Sequence, residues 1–135
     1  MAAYSFNKQF VSAIHDRTKT GTIRAFRAAP SRNARDGEAI QIYTGMRTKY
    51  VTLQGRAICQ QAKLVWLNLG DGAVYYPNQD NRLHLEDELN IFAVADGFKD
   101  WDCLCQFWRE NHKGIRAFEG VHILWGSTFV PAEAR

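Results

Sequence analysis

Hydrophobic and polar positions recur along this chain with two different periods, and the switches between them outline its elements. Tyr4 to Phe6 reads apolar, polar, apolar, a short lead-in. Asn7 then suits an N-cap for a helix over about residues 8–17, with Phe10, Val11 and Ile14 as its buried stripe. The spacing changes across a loop at 18–21, and a strand follows from Thr22 to about Arg27. Ala28 to Gly37 holds Pro30, Ser31, Asn33 and Asp36-Gly37 among arginines and reads as a basic loop. Glu38 to Thr44 alternates, with Ala39, Gln41 and Tyr43 on one face and Ile40 and Ile42 on the other, and stops at Gly45. After a polar turn at Met46 to Tyr50, Val51 to Val65 reads as one long strand interrupted near Gly55, where a bulge or a close backbone approach is expected.

Trp66 to Leu69 and Ala73 to Tyr76 flank Gly70-Asp71-Gly72, a hairpin pattern. Pro77 to Arg82 reads as a loop and Leu83 to Leu85 as a brief strand. Glu86-Asp87-Glu88 opens a helix running to about Ala95, where acidic residues complement the dipole, and Asp96-Gly97 ends it. Asp100 caps a further helix through about His112, with Trp101, Leu104, Cys105 and Trp108 on one stripe and Gly114 as its stop. Phe118 to Trp125 is an apolar strand apart from Gly120, followed by a tail containing Pro131. Five or six strands with about three short helices predict a small α+β domain over residues 1–135, its core at about 4–126 and a C-terminal tail at 127–135. Long strands with few helices favour a compact β-barrel.

A chain of 135 residues can bury a core without disulfides or metal. Cys59, Cys103 and Cys105 are an odd number without framework spacing, which predicts free thiols and a cytoplasmic location. No apolar run approaches the length of a membrane span, and the amino terminus lacks a signal-peptide layout, so no membrane partner is expected. The net charge of +3 conceals an asymmetry: residues 1–63 carry 11 Lys/Arg against 3 Asp/Glu, and residues 64–135 carry 6 against 11, or +8 against −5. A fold gathering the first half on one side would present a basic surface to phosphates, with Arg27, Arg32, Arg35, Arg47 and Lys49 as the expected nucleic-acid contacts. The same arginines equally suit a solvated connector.

The chemistry-bearing stretch is Arg17-Thr18-Lys19-Thr20-Gly21-Thr22-Ile23-Arg24. Thr22 and Arg24, two apart on a strand, point to one face and set a hydroxyl beside a guanidinium. This is either a polar site or the wet side of a surface strand. Cys103-x-Cys105 with His112 suggests a metal only superficially, because residues two apart on a helix diverge, so no metal or cofactor is expected. His15 could edge a pocket or lie on the surface, and His84 and His122 read as strand residues.

The order of these features resembles the ASCH domain family, whose β-barrel is related to the PUA RNA-binding domain. The resemblance spans about residues 4–126. It rests on the helix with Phe10, Val11 and Ile14, on Lys19-Thr20-Gly21-Thr22-Ile23-Arg24, on Asp36-Gly37-Glu38 leading into Ile40 to Gly45, on Asp96-Gly97-Phe98, and on the closing strand into Trp125. It implies a PUA-like barrel binding a nucleoside or RNA. Some bacterial members are amidohydrolases that deacetylate N4-acetylcytidine with a lysine, a threonine and a carboxylate, and others are thought to bind or cut RNA. On the motif these positions fall on Lys19, Thr22 and Asp96, the last replacing the glutamate of the small amidohydrolases with a side chain one methylene shorter. The segment from Trp66 to Arg82 is also longer than in the smallest members.

In that chemistry Thr22 is a nucleophile needing a base, Lys19 serves if it is deprotonated, and Asp96 either binds the exocyclic amide nitrogen or protonates the leaving amine. Arg17 or Arg24 is the neighbouring cation that would lower the Lys19 pKa, both being expected substrate-binding residues. Arg24 or backbone N–H groups near Gly21 hold the oxyanion, and Tyr43, Trp66 or Trp125 stacks on the pyrimidine. The competing reading is a structural ion pair of Lys19 or Arg24 with Asp96, and a ribonuclease using Lys19 and Asp96 is the third.

Overall fold

Among the described residues nine strands and three α-helices form an α+β fold, three or four strands more than the sequence predicts. The computed structural model describes residues 2–133, so Met1 and the last two residues of the expected tail lie outside the described residues. The strands are β1 (Ala2–Phe6), β2 (Gly21–Arg24), β3 (Ala39–Thr44), β4 (Thr52–Ile58), β5 (Gln61–Asn68), β6 (Ala73–Tyr76), β7 (Asn81–Leu83), β8 (Ala117–Leu124) and β9 (Val130–Pro131). The helices are α1 (Val11–His15), α2 (Glu86–Ala95) and α3 (Trp101–Asn111). Backbone pairing divides the strands into two sheets, β1-β3-β4-β9 and β2-β8-β5-β6-β7, so main-chain hydrogen bonds do not close the expected barrel.

The lead-in at Tyr4 to Phe6 is in fact β1, parallel to β3 with Ala2 opposite Ile40 and Phe6 opposite Thr44. A parallel pair needs a long crossover, and α1, β2 and the basic loop provide it. The first helix is shorter than expected. Asn7 caps a 3-10 turn at Lys8–Phe10, α1 covers only Val11–His15, and Arg17 enters the left-handed region at φ 69°. β2 stops at Arg24 because the Asn33 side chain takes over as partner: it donates to the Ala25 carbonyl at 3.1 Å and accepts from the Arg27 N–H at 3.2 Å.

The long strand breaks at Cys59-Gln60 instead of near Gly55. Gly55 nevertheless has both expected features. The register slips beside it, Ile42 facing Gly55 and Tyr43 facing Leu53, and a Cβ there would collide with the Val130 carbonyl and the Phe129 ring. The Trp66–Tyr76 hairpin forms as β5 and β6, α2 has the expected bounds, and Asp100 caps α3 by accepting from the Cys103 N–H at 2.8 Å. His122 lies in β8, whereas His84 falls just past β7.

Two apolar clusters hold the sheets. One gathers Tyr4, Phe6, Ile14, Ile42, Trp125 and Phe129; the other gathers Val65, Leu67, Val74, Phe92, Leu104 and Trp108, and Phe98 and Phe107 pack against both. β8 runs between them, so Val121, His122 and Ile123 are all buried and its sequence shows no alternation.

Where β1 and β2, the free edges of the two sheets, approach each other, side chains replace the backbone ladder. Arg24 Nη2 donates to the Ser5 carbonyl and Arg27 Nη2 to the Ala3 carbonyl, each at 2.7 Å. Residues two apart on a strand present their carbonyls to the same side, so two arginines cover one open edge. Both guanidiniums lie over the Tyr4 ring, at 5.3 and 4.2 Å from its centroid.

Candidate functional site

A cavity of about 260 Å³ opens beside this seam, and Lys19, Thr22, Arg24 and Asp96 all line it. Each arrives from a different local cause. Lys19 follows the end of α1, its N–H donating to the Ala13 carbonyl at 3.0 Å; Thr22 and Arg24 share a face of β2; Asp96 is the C-cap of α2. The main chain ties these pieces together: the Thr20 N–H donates to the Ala95 carbonyl at 2.8 Å, and the Trp125 N–H donates to the Thr20 carbonyl at 2.8 Å.

Lys19 Nζ donates to the main-chain carbonyl of Asp96 at 2.5 Å and lies 3.3 Å from its carboxylate Oδ1. The amine thus sits at the C-terminal end of α2 as well as beside the Asp96 carboxyl. Gly97 makes the approach possible. Its φ is +96°, and a Cβ there would stand 2.8 Å from Lys19 Cδ. Lys19 and Asp96 are only 2% and 5% exposed, so dehydration disfavours charge on both. Burial lowers the Lys19 pKa against the opposing pull of Asp96, and burial raises that of Asp96 against the pull of Lys19. Both shifts favour the uncharged pair.

Thr22, also buried, accepts from Arg24 Nε at 3.2 Å, which leaves its own hydroxyl proton to be given elsewhere. Arg24 is brought down to about 10, chiefly by burial and partly by Arg27, and stays charged at neutral pH. The walls are aromatic. Phe6 and Phe10 carry Lys19 Nζ over their faces at 5.6 and 4.8 Å, and Phe98, Phe107 and Trp108 complete the lining with exposed His112 stacked on Trp108 at 4.7 Å.

The expected stacking residues are not among these. Trp125 is fully buried in the first core, edge-on to Phe6 at 5.9 Å with its indole N–H unpartnered, so it offers no face to a ligand. Tyr43 and Trp66 do not line the cavity. Tyr43 lies on the opposite face of β3 from buried Ile42, and Trp66 packs on Tyr75 beside a separate groove on the second sheet. Arg17 turns away to donate to the Phe129 carbonyl at 3.0 Å. His15 also faces elsewhere, bonded to Gln54 at 3.0 Å. Sequence reading missed Phe6, Phe10, Phe107 and Trp108 as walls; it placed Trp108 on the α3 stripe with Trp101, Leu104 and Cys105, a pattern that marks core rather than the lining of a cavity.

The five expected nucleic-acid contacts divide. Arg27, Arg32 and Arg47 border one groove beside Ala2 and Ala3, but Arg32 is committed to Glu38, with Nη1 at 3.0 Å and Nη2 at 2.5 Å from its carboxylate. Arg35 and Lys49 are exposed outside that lining, Lys49 resting over Tyr50 at 5.2 Å.

Among the described residues no cluster of three or more His, Cys, Asp or Glu side chains is arranged to hold a metal, all three cysteines are free thiols, and no helix is long and apolar enough to cross a membrane. No protein-family model, curated protein or solved structure matches the chain.

Proposed function

We propose that this protein is a cytoplasmic, PUA-like ASCH-domain amidohydrolase that takes a cytosine ring into the Lys19–Asp96 cavity and removes an acyl group from its N4 nitrogen. The observation that carries this reading is that a lysine and an aspartate 77 residues apart meet in an aromatic-walled cavity beside a buried threonine, both dehydrated, with burial lowering the pKa of the lysine and raising that of the aspartate. A neutral amine is a base and a protonated carboxyl is an acid, the two partners that amide cleavage requires.

In the proposed reaction Thr22 Oγ attacks the acyl carbon while its proton passes to neutral Lys19 Nζ. Arg24, already bonded to that oxygen, stabilises the charge developing around the reacting centre. Collapse of the tetrahedral adduct breaks the C–N bond, and the N4 nitrogen leaves as the amine with the proton of Asp96. Lys19 returns its proton to Asp96 across their 3.3 Å contact. Water then hydrolyses the acyl-threonine and releases the carboxylic acid. The shorter aspartate is compensated by its seat at the end of α2, where the backbone brings the carboxyl to the lysine.

The test is incubation with N4-acetylcytidine, following cytidine by chromatography, with Thr22→Ala as the control. Cytidine released by the native protein and not by the variant supports the assignment; equal release by both refutes it. The second reading, a non-catalytic module for single-stranded RNA, is favoured by the Arg27–Arg47 groove and predicts salt-sensitive RNA binding without turnover.

A further inference from the structure

We infer that the ligand of this cavity is an anion: a nucleotide carrying a phosphate, free or within RNA, rather than a neutral nucleoside. This rests on the reading of the cavity as a nucleobase site and extends it along β1. Lys19 and Asp96 sum to zero charge wherever their shared proton resides, so they cannot neutralise anything else. Arg24 is then left over. It is half-buried, and the groups that it is bonded to, the Thr22 hydroxyl and the Ser5 carbonyl, are both neutral.

Of the charges that act on it, Arg27 has the same sign and opposes it, and Asp96, already matched by Lys19, has the opposite one. Arg27 shares the Tyr4 ring with it and donates only to the neutral Ala3 carbonyl. Among the described residues no carboxylate lies within ion-pair distance of either guanidinium. Like charges held together at a partly dehydrated seam oppose each other unless a counter-charge joins them. Covering the edge of β1 does not require this arrangement, since neutral donors would serve. Each guanidinium has five N–H donors. The contacts described use two on Arg24 and one on Arg27, leaving a fork of donors suited to phosphate oxygens.

The two arginines also lie in sequence along a track. Ser5 lines the cavity with Arg24, and Ala3 lines the adjoining groove with Arg27 and exposed Arg47. Along a strand these positions are roughly 7 Å apart. A nucleotide whose ring enters the cavity would therefore carry its phosphate out over β1 toward the Arg27–Arg47 groove.

Calorimetric titration with cytidine, cytidine 5′-monophosphate, inorganic phosphate and a short single-stranded cytidine-containing RNA tests this. The nucleotide is expected to bind about tenfold or more tightly than cytidine, the gain of a charge-assisted contact, with the advantage shrinking as salt rises. In Arg27→Gln and Arg47→Gln, each checked for an unchanged melting profile, the ratio of the two affinities is expected to fall toward one. Inorganic phosphate competing with the nucleotide supports the anion site. RNA binding more tightly than the nucleotide assigns the phosphate to a polymer, and equal binding assigns it to a free nucleotide. Equal affinity for cytidine and its monophosphate overturns the inference while leaving the base cavity intact. Binding of neither overturns both.

Discussion

Arg24 and Ser5 meet across the gap between two sheets: the guanidinium donates to the Ser5 carbonyl at 2.7 Å while its Nε holds Thr22 at 3.2 Å. One side chain thus joins the edge of β1 to the face of β2 that bears the candidate nucleophile. Arg24→Gln is expected to cost about 1–3 kcal/mol by leaving buried polar groups unpaired, read from urea unfolding. Arg24→Lys should not restore the loss, because an ammonium cannot reproduce the planar fork that spans both partners. Full recovery in the lysine variant would show that charge alone is needed.

The Lys19–Asp96 pair separates architecture from chemistry. Lys19→Met leaves a buried carboxyl without its partner, and burial already raises the pKa of that group. A carboxyl whose folded pKa lies above its unfolded one supports folding at low pH and loses that contribution as pH rises through the folded pKa. The variant should therefore be near normal in stability in acid and weaker by about 3–5 kcal/mol where Asp96 is forced to ionise. Lys19→Met with Asp96→Leu should recover most of this stability at neutral pH and none of the turnover. A deacylating double variant would dismiss the proposed acid and base.

Gly97 tests how Lys19 is positioned. Gly97→Ala adds a Cβ 2.8 Å from Lys19 Cδ and 3.0 Å from Phe10 Cδ1, at a φ of +96°. It should destabilise by more than about 1 kcal/mol and lower kcat/KM by at least about tenfold, since a small misplacement of a reacting group is costly. Unaltered kcat/KM would mean that this contact does not set the position of the amine.

Turnover should follow a bell with pH. Activity needs the pair to retain one proton, with Lys19 neutral and Asp96 protonated. The rate rises as the pair loses its first proton and falls as it loses the second, each limb belonging to the pair jointly. A rate that climbs monotonically into alkali would exclude Asp96 as the acid.

His122 predicts a separate acid sensitivity. Burial, with Lys63 and Lys19 adding repulsion, takes its pKa down to about 3, and its Nδ1 is 2.8 Å from the Tyr76 hydroxyl. Because the folded pKa lies below the ordinary value of 6.5, the unfolded chain binds the proton more readily. The stability is present above pH 6.5 and is lost progressively as pH falls toward 3. Thermal melts of His122→Phe combined with Tyr76→Phe, which leaves no orphaned hydroxyl, should be flatter over that window. An equally steep loss in the double variant would move the cause elsewhere.

Local signals in the sequence determined much of the chain. The acidic first turn and Asp96-Gly97 stop bound α2, Asp100 capped α3, Gly70-Asp71-Gly72 turned the hairpin, and Gly55 marked a bulge and a crowded backbone. These are legible because caps, turns and periodicity act over a few residues. Short edge strands were not legible: β7 and β9 have 3 and 2 residues, too few for a pattern. Tertiary packing decided the rest. Trp125, expected to stack on a pyrimidine, is instead core, in one cluster with Phe6 of β1 and Ile14 of α1; β8 loses alternation because both its faces are covered. The motif Lys19-Thr20-Gly21-Thr22-Ile23-Arg24 placed a hydroxyl and two cations near one another, but a stretch of sequence carries no information on what faces it across space. Only the fold brought Asp96 beneath Lys19 and left Arg24 facing neutral partners, since burial and charge balance are sums over neighbours that the chain supplies from far away.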